Sequence, residues 1–185
     1  MDLDFLRYYD LERYLWEDVH QRFHQEGSIG AFDFFSIVIW KANRAKSHTA
    51  KRLLRTDPAG RSELEPIVRD LSRNLYGARD AKERLRILMI DWGFYLPMAS
   101  SILSVFWPDE FSVYDVRVSD QLGRFQKLGN KTDFQAIWSG YHQYLEAVRR
   151  AAPSGLSLRD VDRFLWGRSV WQQLAQDVER GFLQT

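Results

Sequence analysis

The chain has 185 residues, 45% hydrophobic and 15% aromatic, which supports a substantial core in one domain or two closely packed lobes. Its 26 basic and 25 acidic side chains nearly cancel, so no global positive field draws it to nucleic acid. The lack of cysteine excludes disulfides, thiol catalysis, Cys-ligated zinc and iron–sulfur clusters, and no apolar run reaches the ~18 residues of a membrane helix.

The start, Met1-Asp2-Leu3-Asp4, is acidic and fits neither a signal nor a transit peptide, so a cytoplasmic protein without membrane contact is expected. From Asp4 to about Gln25, Phe5, Leu6, Tyr9, Leu11, Leu15, Trp16, Val19 and Phe23 recur at helical spacing. Residues 1–26 hold seven acids against three arginines. Gly27-Ser28-Ile29-Gly30 breaks the pattern. A second helix runs through Phe34, Phe35, Val38, Ile39 and Trp40 and is expected to continue into residues 41–55, a basic stretch with no acid. There Lys41, Arg44, His48, Lys51 and Arg55 fall three and four apart, one stripe of a helix. Such a stripe suits a phosphate backbone; it equally suits a solvated face or one paired with the acidic N-terminal region.

Thr56-Asp57-Pro58-Ala59-Gly60 ends that helix. Ser62-Glu63-Leu64-Glu65 has capping-box spacing and opens another through Ile67, Val68, Leu71 and Leu75, closed at Gly77. Ala81 to Trp92 forms the next helix, then a turn at Gly93 leads into a helix from Pro97 to Phe106. An extended apolar run, Phe111-Ser112-Val113-Tyr114, delivers Asp115 ahead of a short helix reaching about Phe125. Phe134 to about Ala151 is a longer helix, and Ala152-Pro153-Ser154-Gly155 breaks it. Ser157-Leu158-Arg159-Asp160 starts the last helices, carrying Val161 to Trp166 and then Val170 to Val178. No strand long enough to seed a sheet is expected, so the fold class is all-α.

The segment Gly93–Asp115 carries the most chemistry. Gly93-Phe94-Tyr95-Leu96-Pro97-Met98-Ala99 resembles the Gly-Val-Gly-x-x-Thr-Ala hairpin of the helix-hairpin-helix DNA glycosylase superfamily, which includes endonuclease III and the adenine and 8-oxoguanine glycosylases. Ile102-Leu103 continues its apolar helix, and Tyr114-Asp115-Val116-Arg117-Val118 resembles Val-Asp-Thr-His-Val. Ala99 and Asp115 are sixteen residues apart, as in that family.

The resemblance implies a helix-hairpin-helix glycosylase-like fold over residues 1–185, one helical domain with its hairpin and catalytic segment at 85–125. It implies that Gly93, Phe94, Tyr95, Leu96 and Ala99 grip a DNA phosphate, with Arg117 and Arg124 beside the acid. It further implies that Asp115 activates water or stabilises an oxocarbenium-like sugar. A base acted on this way must leave the stack, for which Trp40 and Trp92 are candidate pocket walls. Lys41, Arg44, Lys51 and Arg55 would add backbone affinity. No cofactor is implied beyond a monovalent cation at the hairpin.

Two departures narrow the chemistry. Tyr95 replaces the second hairpin glycine, and Pro97 stands where bifunctional members carry a Schiff-base lysine. Proline has no amine, so the expectation is monofunctional removal of a modified or mismatched base without strand cleavage. The alternative is a catalytically inactive module of the same fold that binds nucleic acid or protein. Asp115 alone also reads as a helix cap, and tryptophans in helical stripes as core. His20, His24, His48 and His142 show no metal spacing.

Overall fold

The computed structural model describes residues 5–152 and 154–182; the acidic start Met1-Asp2-Leu3-Asp4, the helix start at Asp4 and Pro153 of the second break lie outside them. The protein is all-helical, with no strand among the described residues. It divides into two compact units, Met1–Trp107 and Pro108–Thr185. The hairpin belongs to the first and Asp115 to the second.

In the first unit, a turn of 3-10 helix, Phe5–Tyr8, precedes helix α1 at 11–26. Asp10 caps α1 by accepting the Arg13 N–H, so the helix begins there, after the separate 3-10 turn. Its middle, Leu15–Val19, widens to π geometry, and Gly27 ends it in the left-handed region at φ 67°. Two acids of this region pair within it, Asp18 with Arg7 and Glu17 with Arg13, while Arg22 takes the buried Asp33 of the next helix.

Helix α2, Ala31–Ala42, does not continue smoothly into the basic stretch. Ala42 leaves helical geometry at φ −162°, ψ 85°, and a 3-10 turn, Asn43–Ala45, intervenes before α3, Lys46–Thr56. The expected stripe is therefore split: Lys41 ends α2, Arg44 sits in the turn, and His48, Lys51 and Arg55 share one face of α3. Helix α4, Leu64–Tyr76, also starts differently from expectation, because Ser62 makes no capping box and Glu63 stands at the N-cap. Glu65 is drawn elsewhere, accepting the Ala31 N–H at 2.7 Å and pairing with Arg69 at 2.8 Å. A glutamate ties the start of α2 to α4 and so cannot fold back on its own helix.

Helix α5 runs 81–91, capped by Asp80, with a π-wide end at Ile87–Asp91. After the turn comes α6, Leu96–Phe106, whose residues from Ala99 to Phe106 are all buried. A helix buried on all sides belongs at the centre of its unit. Its serines satisfy themselves inside: Ser101 donates to Pro97 O at 2.6 Å and Ser104 to Ser101 O at 2.9 Å. Phe106 stacks flat on Phe23 of α1, with centroids 3.9 Å apart.

In the second unit, the extended run Phe111–Tyr114 leads into α7, Val116–Gln121; the chain then turns before α8, Phe134–Arg150, and α9, Leu158–Glu179. The two expected C-terminal helices are one, continuous through Gly167. Ser157 caps it as the sequence suggests, accepting the Asp160 N–H at 3.1 Å. The short helix from Asp115 ends before Phe125, which adopts a left-handed φ of 78°.

Candidate functional site

At the hairpin, the last π turn of α5 closes when Trp92 N–H donates to Ile87 O and Phe94 N–H to Leu88 O. Gly93 then takes a φ of 66°, a conformation glycine adopts without penalty. Phe94, Leu96 and Ala99 point into the core. Tyr95 points out and is 71% exposed. The amides that a phosphate grip needs are few here. Pro97 has none, and the Met98 and Ala99 N–H groups both donate to Tyr95 O at 3.0 Å.

A residue outside the expected set occupies this turn. Arg52 reaches over from α3, its guanidinium 5.2 Å from the Tyr95 ring centroid and 5.9 Å from that of Phe94. Its Nη1 lies 3.1 Å from where a Cβ on Gly93 would stand. A positive charge at Gly93, with the Ile87, Leu88 and Tyr95 carbonyls already accepting hydrogen bonds, does not suit a monovalent cation. Among the described residues, Arg44, Lys51 and Arg55 form no ion pair, so the acidic N-terminal region does not neutralise them.

Trp92 and Trp40 are not brought together. Trp92 helps line an open cavity of about 540 Å³ in the first unit, with Arg73, Asn74, Glu83, Arg86 and Asp91. The charges there are mutually satisfied: Arg86 holds Asp91 through two bonds, at 2.8 and 3.0 Å, and Glu83 is taken by Arg79. Trp40 packs edge-on against Trp16, centroids 5.0 Å apart, as a wall of the core.

In the second unit, Asp115 stands at the N-cap of α7, half-buried, its Oδ1 accepting the Arg117 N–H at 2.9 Å. What holds it there is tertiary. The carbonyls of the extended run have no sheet partner; Tyr141 and Tyr144 of α8 donate their hydroxyls to Ser112 O (2.6 Å) and Val113 O (2.7 Å). Burial pushes both hydroxyls above their ordinary value, so they remain donors at any ordinary pH. Tyr114 donates to Phe125 O at 2.6 Å and accepts the Gly129 N–H at 3.2 Å, which fixes the loop after α7.

On the other side, α9 clamps α7. Arg117 donates to Gln173 at 2.8 Å and lies 5.9 Å from the Trp166 ring centroid, while Gln121 bonds Gln172 (2.8 Å) and Arg168 (2.5 Å). Arg117 is thus held beside the acid by glutamine and tryptophan. Arg124 is exposed and stacks on its neighbour Phe125 at 4.7 Å.

Two other polar clusters lie in the first unit. Tyr14 donates to the buried Asp33 at 2.5 Å; burial first, and that hydrogen bond second, push its hydroxyl up to about 12. Hydrogen bonds from Arg61 hold the Asp57 carboxyl down at about 2. The first cluster ties α1 to α2, and the second closes the loop after α3 and ties it to Asp70 of α4. Among the described residues no group of three or more His, Cys, Asp or Glu is placed to hold a metal ion. None of their helices is long and apolar enough to cross a membrane.

Compared with protein-family models, with curated proteins and with solved structures, the chain matches none. What stands as established is an all-helical protein. Its two regions of interest are a turn carrying Arg52 and Tyr95 and a clamped carboxylate at Asp115.

Two kinds of site residue escaped the sequence. Arg52 lies in the acid-free run, but one residue off the three-and-four stripe. For Tyr141 and Tyr144, nothing in their spacing names the carbonyls they serve.

Proposed function

We propose that the chain is a monofunctional, glycosylase-like DNA protein that removes a modified or mismatched base by hydrolysing its N-glycosidic bond. One observation carries the reading. A left-handed glycine turn, an apolar helix, a buried extended run and a carboxylate at the next helix start follow one another in the order and spacing the resemblance requires.

In this reading the base departs with the electron pair of the C1′–N bond and acquires a proton from solvent. Asp115 offsets the positive charge growing on the sugar and takes a proton from the attacking water, whose oxygen bonds to C1′. Gly93, Phe94, Tyr95, Leu96 and Ala99 form the turn that meets the DNA backbone. Lys41, Arg44, Lys51, Arg55, Arg117 and Arg124 add affinity, and Trp92 is the aromatic nearest an open cavity. Pro97 leaves no amine for a Schiff base, so strands stay intact.

A second reading also has an observation behind it. Asp115 is already engaged as a helix cap and Pro97 removes an amide from the turn, which suits a catalytically silent module that binds nucleic acid or protein. Duplexes carrying uracil, 8-oxoguanine, alkylated bases or mismatches are incubated with the protein and then treated with alkali. Strand breaks only after alkali, abolished by Asp115→Asn, support base removal. No breaks from any substrate, with binding intact in both proteins, favour the silent module.

A further inference from the structure

Arg52 is unlike the other arginines whose ion pairs fix local structure. Its guanidinium is held over two aromatic rings, those of Phe94 and Tyr95, on a half-buried stem. Among the described residues no carboxylate or carbonyl takes its N–H groups. Ring contacts engage the face of a guanidinium and leave its five donors, which lie in its plane, for a planar or tetrahedral anion. The surroundings favour an anion too. Helix α3 carries Lys46, Lys51, Arg52 and Arg55 and no acid, and Arg44 precedes it.

The second half of the feature is Tyr95. An aromatic side chain that is 71% exposed at the tip of a rigid turn contributes little to the core. Arg52 covers part of its ring and the rest faces solvent. A fixed cation beside an open aromatic face is the pairing that single-stranded nucleic acids use, with phosphate on the cation and an unstacked base on the ring. A continuous duplex offers phosphates but no free base face. With Pro97 lacking an N–H and the next two amides closed on Tyr95 O, the turn has few backbone donors of its own, and the side chain supplies them.

The geometry points to a binding site for an unpaired nucleotide at this turn: the Arg52 N–H groups take its phosphodiester, and Tyr95 stacks its base. The partner is therefore a nucleic acid with a single-stranded stretch, a gap or a frayed end. The inference rests on the nucleic-acid part of the proposed function and not on base removal. Neither contact touches the sugar 2′ position, so DNA and RNA strands are expected to bind alike.

Fluorescence anisotropy with labelled DNA and RNA strands and a blunt DNA duplex of equal length, over a salt titration, tests it. The strands should bind more tightly than the duplex. Tyr95→Ala should weaken strand binding roughly tenfold to a hundredfold while Tyr95→Phe keeps it. Arg52→Gln should reduce the salt slope on strands by about 0.7, one phosphate contact, whereas Arg52→Lys should preserve the slope and lose part of the affinity. Arg79→Gln, an exposed arginine paired with Glu83, should change nothing.

Preference for the duplex, or strand binding indifferent to Tyr95→Ala and Arg52→Gln, overturns the inference, as does a lack of binding to any strand. Tyr95 is exposed, so its alanine variant tests the site without endangering the fold. The alkali assay on damaged duplexes separates the two claims. Base release with Tyr95-independent strand binding leaves the glycosylase reading and removes this one. Tyr95-dependent strand binding without any base release does the reverse.

Discussion

The turn at Gly93–Tyr95 and the extended run Phe111–Tyr114 each carry the chain into the start of a helix, by opposite means. The turn is built locally: a π-wide helix end, a left-handed glycine and two short backbone hydrogen bonds, at 3.1 and 2.8 Å, close it from within. The run draws support from outside its own segment. Its carbonyls are met by hydroxyls from a helix about thirty residues further on, and the helix it feeds is clamped by a third element. A locally closed turn tolerates distant change, whereas a run held from outside transmits every change in its clamps to Asp115.

The sharpest separation of the two regions comes from Asp115→Asn. Asparagine caps a helix as well as aspartate, so a urea melt should move little. Base release should fall by roughly 10²–10⁴-fold. Equal activity in both proteins would remove Asp115 from the chemistry.

Next in size is Tyr144→Phe, which leaves the buried Val113 carbonyl without its donor. Unfolding should cost about 1–3 kcal/mol less in the variant. An unchanged melt would mean that packing alone holds the extended run. Tyr141→Phe should act similarly through Ser112 O.

Gly93→Ala tests the local turn. A left-handed alanine costs roughly 1–2 kcal/mol, and its Cβ would press on Arg52 Nη1. The loss should appear in the melt and in strand affinity together, with the environment of Asp115 unchanged by NMR.

The smallest effect is a pH one, in the loop after α3. Arg61 depresses the Asp57 carboxyl to about 2, below the ~3.9 of an unfolded aspartate. The stability it contributes is therefore full above the unfolded value and is lost as pH falls toward 2. Asp57→Asn should be less stable near neutrality and should flatten the decline in that window, read as the urea midpoint against pH. A parallel decline in both proteins would show that this pair contributes nothing.

Much of the fold is legible because its signals are local. Gly27 and Gly93 mark turns, Ser157 caps α9, and the apolar periodicities of α4 and α8 mark the faces they bury. Where reading fails, a distant partner intervenes. Glu65 leaves its capping box to bind Ala31, and the basic stripe is split at Ala42, whose backbone departs from the helix with no glycine or proline to announce it. The candidate site divides the same way. Asp115 and the turn are visible by spacing, while Arg52 is hidden one residue off the stripe and recognisable only once α3 is seen to lay it on Tyr95.

By itself the sequence determined an all-helical chain, the turn at Gly93 and the place of Asp115 at a helix start. These depend on φ preferences, caps and periodicity, which act within a few residues. Only the tertiary structure decided that a tyrosine pair supports the run before Asp115, that Trp40 packs on Trp16 and not beside Trp92, and that Arg52 lies with its donors unengaged at the hairpin. Those outcomes depend on which side chains meet across helices, and spacing along one chain does not encode that.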